Sequence, residues 1–288
     1  MKVFLREICL DIRQGIFKEY KKYIPVVLLG VFYCATFIMN IKKCYDKNLI
    51  PDMNFTLADI VLYFFRGKQK IILNNKIEKL ELPLDYMIMN LYLMYLIGDY
   101  VVRDILSFGK TVLVRTKKRL YWWLSKCIWC VTTVLIFYGI LYLCMFVCTL
   151  VVGTLSMKPD VFIAAKVCNF DISQQYFFVD VGKLMRTALI LPIITSISMM
   201  LAQMAVAIII LPIIGYVMNV VVLIVSAYYM TPFLQGNALM ILRSADYKSG
   251  GIDTAFSIGI SLVIIIVSVL AGAVYFSRMD ILKKGWKL

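Results

Sequence analysis

Apolar residues in this chain run in long, nearly unbroken blocks. Six blocks have spanning length: 24–41, 84–102, 127–152, 187–208, 211–231 and 256–276. About 20 apolar residues in a helix cross the ~30 Å hydrocarbon core of a bilayer. Each block therefore predicts a transmembrane helix. The second is the weakest, because it contains Asp85, Asn90 and Asp99. The third is long enough to span with tilt. Thr187 to Thr231 is almost continuous, and as one helix it would reach roughly 65 Å, twice a bilayer. Pro212 divides it into two helices joined by a very tight turn. Pro25, Pro83 and Pro212 lie at or near the first turn of a span, where a missing N–H costs little. Pro232 closes the fifth span, and Pro192 is expected to kink the fourth.

Two shorter segments are amphipathic. In residues 1–23, Phe4, Ile8, Ile12 and Ile16 recur every four positions, with Arg6, Glu7, Asp11, Arg13 and Glu19 elsewhere around the helix. This predicts an interfacial helix along the membrane surface that leads into the first span. Phe55–Ile72 holds an apolar, aromatic run followed by Arg66, Lys68 and Lys70. It is too short to span and reads as an interfacial or re-entrant piece. The expected fold is all-α and integral to the membrane. One transmembrane domain covers 1–288, with six transmembrane helices and an N-terminal interfacial amphipathic helix.

Composition settles the class. Hydrophobic residues make up 62% of the chain and charged ones 17%, against roughly 25% charged in a soluble domain. The net charge of +14 would suggest nucleic acid in a soluble protein, but no basic stretch lies on a plausible soluble domain. Anionic headgroups account for it better, and no nucleic-acid partner is expected. Segments 1–23, 103–126 and 277–288 carry 17 Lys and Arg in 59 residues; segments 42–83, 153–186 and 232–255 carry 14 in 100. The denser side is cytoplasmic by the positive-inside rule, so both termini are expected inside. No apolar core of a cleavable signal precedes the charged N-terminal residues. Cys127-x-x-Cys130 has redox or zinc spacing, but the chain has no second such pair and no His. The cysteines read as small membrane-packed residues. Cys44 and Cys168 both fall in loops expected outside, where a disulfide between them is conceivable.

Catalytic signals fail one by one. Ser107–Thr111 ends like a phosphate loop, but Asp104 stands where the first Gly is required. No metal, cofactor or catalytic residue is expected in this chain. Asp85 and Asp99 lie about 20 Å apart along a helix, too far to act as a pair. Asp99 and Arg103 have the spacing of a helical ion pair, and Asp180, Lys183 and Arg186 share one face outside the fourth span. Structural pairing is the simpler role for these span-end charges.

The most distinctive stretch is Arg115 to Lys126, in which Arg115, Lys117, Lys118 and Arg119 precede Tyr121, Trp122 and Trp123. Cations and indoles in this arrangement anchor a helix end at the headgroups. The 24-residue loop 103–126 also has room for a short surface helix presenting Ile105, Leu106, Phe108, Val112 and Leu113 to a partner.

Val114–Trp129, with its basic cluster, Trp-Trp pair and Lys before an apolar run, resembles type 2 ABC-exporter permease subunits of Gram-positive bacteria. The loop 232–255, the last span and the exit Tyr275–Leu282 are similar to those permeases as well. The resemblance rests on short motifs, and the long segment 42–83 departs from the compact pattern. It implies a dimeric permease in the bacterial cytoplasmic membrane, paired with an identical or similar second permease subunit and working by alternating access. A separate ATP-binding cassette ATPase, holding ATP and Mg, would drive it through a coupling helix containing Ile105, Phe108 and Val112. Peptide, antibiotic, lipid-linked glycan and lipid are all compatible cargoes. The alternatives are an ion-coupled secondary transporter, which usually shows inverted repeats and midplane carboxylates, and an intramembrane enzyme.

Overall fold

The computed structural model describes residues 2–68, 84–98, 100–106, 119–171, 180–248 and 250–278. In chain order the helices are α1 (Lys2–Ile12), α2 (Ile24–Asp46), α3 (Leu57–Phe65), α4 (Leu84–Gly98), α5 (Tyr100–Leu106), α6 (Arg119–Val152), α7 (Val161–Lys166), α8 (Val181–Ile209), α9 (Pro212–Tyr228), α10 (Gln235–Ala238) and α11 (Thr254–Arg278). Tighter turns at Tyr20–Tyr23 and Ile241–Arg243 precede α2 and follow α10. No strand occurs among the described residues; two isolated bridges join Thr56 to Thr154 and Ser244 to Ile252.

Among the described residues, four helical segments are long and apolar enough to cross a membrane: Tyr20–Asp46, Arg119–Val152, Val181–Ile209 and Thr254–Arg278. The 34 residues of α6 reach about 51 Å, so this helix outruns the hydrocarbon at one or both ends. Burial ranks the four. The apolar stretch of α8 is 61% buried and that of α11 only 22%. Accordingly α8 is the hub, packed against α3, α4, α6, α9, α10 and α11. On the outer face of α11, Leu262, Val263, Ile266, Val267, Leu270 and Val274 are exposed, as lipid-facing positions would be.

Pro212 acts as the sequence predicts. Leu211 is extended and caps α9, so Ile210 and Leu211 alone separate α8 from α9. Gly215 lets the two helices close: a Cβ there would come within 2.5 Å of the Gln203 carbonyl oxygen. Asn219 donates to Met199 O and to Gln203 Oε1, each at 3.0 Å, and Gln203 Nε2 donates to Met94 O at 2.9 Å. Such bonds hold helices together where apolar contact with lipid is no worse than contact with protein. Pro192 lies within α8, which continues through it.

The segment after the first span, expected as an interfacial or re-entrant piece, is enclosed by protein over Ala58–Phe65. The α3 helix starts at Thr56, which forms a capping box with Asp59, and every residue from Ala58 to Phe65 is buried. It packs on α2, α6 and α8. Its charged exit is held too: Arg66 donates to Val167 O at 3.0 Å and pairs with Asp85 at 3.5 Å. Aromatic bulk explains the burial, since Phe64, Phe65 and Tyr63 find ring partners in Tyr33, Tyr138, Tyr142 and Phe37. The disulfide left open between Cys44 and Cys168 is not formed: all eight cysteines are free, and Cys168 is buried with its thiol 3.6 Å from Asp59 O.

Candidate functional site

Helix α1 docks on α6 with its acidic side inward. Glu7 and Asp11 are one turn apart and both buried, while Phe4, Ile8 and Ile12 are only half-buried. The partner surface explains the inversion. On α6, Trp122, Lys126 and Trp129 follow one face at spacings of four and three. On α5, Tyr100 and Asp104 lie four apart. Three helices thus bring polar pairs of helical spacing to one point.

Lys126 is at its centre, 1% exposed. Its Nζ contacts Asp11 Oδ1 and lies 2.7 Å from Asp104 Oδ2. The rings of Tyr100 and Trp122 lie 4.9 and 5.0 Å from the ammonium, within cation–π range. Ser125 Oγ donates to Asp11 Oδ2 at 2.7 Å, and Tyr100 OH donates to Asp11 Oδ1 at 3.3 Å. Trp129 stacks on Tyr100 with ring centroids 4.0 Å apart. Gly15 lets the N-terminal segment close over this stack, because a Cβ there would meet Trp129 Nε1 at 2.3 Å.

Glu7, Asp11 and Asp104 surround the Lys126 ammonium among the described residues. Burial, then the neighbouring Asp11, raises the Glu7 carboxyl above its ordinary range, against the opposing pull of Lys126. Burial also raises Asp11, outweighing Lys126 and Ser125. Neither oxygen of Glu7 and not the Trp129 indole N–H has a hydrogen-bond partner among the described residues. No group of three or more His, Cys, Asp or Glu suited to a metal occurs among those residues.

A second buried cation, Arg243, closes the segment between α9 and α11. It donates to the carbonyls of Ser226, Ala227 and Lys68 and to Asn237 Oδ1, tying the end of α9 to this returning segment. Nearby, Asp246 pairs with Lys183 at 2.6 Å and accepts from Thr187 and Thr254 at 2.7 and 2.6 Å. Asp180 caps α8 through Lys183 N, so Asp180 and Lys183 hold the start of that helix.

The residues expected to anchor the chain at headgroups divide. Arg115, Lys117 and Lys118 lie outside the described residues. Arg119 donates to Ser277 O at 3.1 Å. Trp122, Trp123 and Lys126 turn into the bundle instead of outward. Trp122 stacks on Phe276 at 4.6 Å, and Trp123 Nε1 donates to Val269 O at 2.9 Å. The physical reason is that α6 begins at Arg119, so these residues occupy its first two turns and face α1, α5 and α11. Of the expected coupling residues, Ile105 falls in α5 without a described side chain, and Phe108 and Val112 lie outside the described residues. Asp99, the expected partner of Arg103, is likewise outside them; Arg103 contacts Glu19.

Sequence reading missed Glu7, Asp11 and Asp104 as inward groups. The signal available was the pair of acids four apart on a short helix, with a lone Lys at the head of an apolar run. No protein-family model matches the chain, and no curated protein or solved structure matches it either.

Proposed function

We propose that this chain is the membrane-spanning permease subunit of an ATP-driven exporter, moving its cargo by alternating access. In this reading there are six spans: α2, α4 with α5, α6, α8, α9 and α11. Helix α1 docks at the membrane edge as the interfacial helix, and both termini are cytoplasmic in a bacterial membrane. A second permease subunit, identical or similar, completes the pathway. ATP and Mg belong to a separate ATPase chain, since Gly109–Thr111 lacks the upstream glycine of a phosphate loop.

The supporting observation is the clamp at the base of segment 107–118. Asp104 and Lys126 flank that segment and form an ion pair at 2.7 Å, and Lys126 also holds Asp11 of α1. A push on the segment would therefore reach α5, α6 and α1 together rather than dissipate at loose ends. The buried carboxylates favour a second reading, a transporter driven by an ion gradient.

The test compares Phe108→Ala with a combined replacement of Lys117, Lys118 and Arg119 by Ala. Truncating an aromatic anchor in a partner's cleft costs about 2 kcal/mol or more, roughly thirtyfold in affinity. Phe108→Ala is expected to reduce the co-purified ATPase subunit and uncouple hydrolysis from transport at normal membrane insertion. The triple variant is expected to lower insertion or scramble orientation. Wild-type behaviour of Phe108→Ala in both assays removes this segment as the coupling element. A purified wild-type chain that transports under an ion gradient without ATPase selects the second reading.

A further inference from the structure

Glu7 is the group in the charge cluster that the ion pairs leave out. It is 5% exposed, and neither of its oxygens has a hydrogen-bond donor among the described residues. Asp11 is one turn further along the same helix, and Lys126 comes from α6. Asp104 and Tyr100 of α5 and Ser125 of α6 complete the groups around Asp11. Lys126 already faces two carboxylates, Asp11 and Asp104, so its ammonium is engaged before Glu7 is considered.

An ionised Glu7 would add a further buried negative charge, facing Asp11, with no donor to stabilise it. Removing an ion from water carries a large penalty, which only well-placed partners offset. A neutral carboxylic acid avoids that penalty and still fits the site. The whole polar centre also lies between two indoles and a phenol ring, which keep bulk water from screening it.

We propose that Glu7 is a proton-binding site, holding a dissociable proton at neutral pH inside the α1–α5–α6 junction. On dissociation the Glu7 O–H bond breaks, and a solvent base takes the proton. The new carboxylate then competes with Asp11 and Asp104 for the Lys126 ammonium. Its sign follows from the raised carboxyl: docking of α1 is favoured while Glu7 is neutral and weakens as pH rises through its folded-state value. This site requires no partner chain and does not depend on which energy source drives transport.

The experiment uses the full-length chain in lipid, without an ATPase. Infrared spectra at neutral pH should show the carbonyl stretch of a buried, protonated carboxylic acid, and Glu7→Gln should abolish it. Titration from neutral to alkaline pH should release one proton fewer per molecule from Glu7→Gln than from the wild type. Glutamine mimics the neutral acid in shape, so Glu7→Gln must fold and keep α1 docked. Absence of the band in the wild type, its persistence in Glu7→Gln, an unchanged proton count or failure of Glu7→Gln to fold would each overturn the assignment. Loss of the band in Asp11→Asn together with its survival in Glu7→Gln would move the proton to Asp11 and equally refute it.

Discussion

A single glycine sets how closely α6 and α11 approach. Trp123 packs against Gly272, where a Cβ would come within 2.1 Å of the indole Cζ2. Neither the ring nor the backbone can yield easily, because Trp123 is fully buried and bonded to Val269 O. Gly272→Ala should therefore overpack this contact at a cost of about 1–3 kcal/mol. The measurement is thermal denaturation in detergent, with Trp123→Phe as a second variant. The two substitutions together should be less harmful than their separate effects predict, because the smaller ring makes room for the methyl group. Additivity would mean that the contact does not limit packing. The Trp-Trp pair also marks a limit of sequence reading. Indoles beside lysines and arginines suit a headgroup belt and a buried helix contact equally well. The choice depends on Gly272 and Phe276, about 150 positions away, whose relevance no local pattern carries.

The α3 helix shows what local chemistry can and cannot specify. Thr56 followed three residues later by Asp59 is a helix start written in the sequence. Apolar residues on every side of a short helix are consistent with complete burial, but its place among α2, α6 and α8 depends on long-range packing. Asp59 accepts bonds from Thr56 N, Thr56 Oγ1 and Asp160 N at 2.9, 2.8 and 3.0 Å. Burial nevertheless outweighs these bonds and pushes its carboxyl up to about 6. The folded state thus binds a proton that the unfolded chain, near 3.8, releases earlier. Stability from this group is present at pH below 3.8 and is lost as pH rises through about 6, a decline of about 3 kcal/mol at most. Denaturation across that interval should show the decline in wild type and lose it in Asp59→Asn. Thr56→Ala, which removes the cap and also a hydrogen bond to the Asp59 carboxylate, should lower stability by about 1 kcal/mol and move the decline to higher pH. An unchanged slope in Asp59→Asn would exclude Asp59 as its source. Elsewhere the main helix break was legible, though α6 and α8 start several residues before their apolar blocks. Pro212 marks the α8–α9 break because no helix interior accommodates the missing donor, and the long apolar blocks become α2, α6, α8 and α11.

At the scale of the molecule, the arrangement of apolar blocks was legible, but the charge cluster was not. Asp11 and Lys126 are 115 positions apart, and although two acids four apart and a Lys heading an apolar run can each be seen locally, no local pattern pairs them. Orientation is open to chemical labelling. Cys9 is exposed on α1, Cys44 is half-buried near the end of α2, and Cys168 is buried. If the termini are cytoplasmic, a membrane-impermeant thiol reagent applied to intact cells should modify Cys44 and spare Cys9. Cys9 should react once the membrane is opened, and Cys168 should remain silent until the fold is disrupted. The reverse pattern for Cys9 and Cys44 would invert the orientation.

The same ion pair imposes an order of events during synthesis. Translation at about 5–20 residues per second separates the emergence of Asp11 from that of Lys126 by roughly 6–23 seconds. Throughout that interval α2 is already available for insertion, while the acidic face of α1 lacks its lysine. Helix α1 therefore cannot complete its docking until α6 has followed. It is fastened by a residue made 115 positions later, and a nascent protein that stops before Lys126 cannot close the junction.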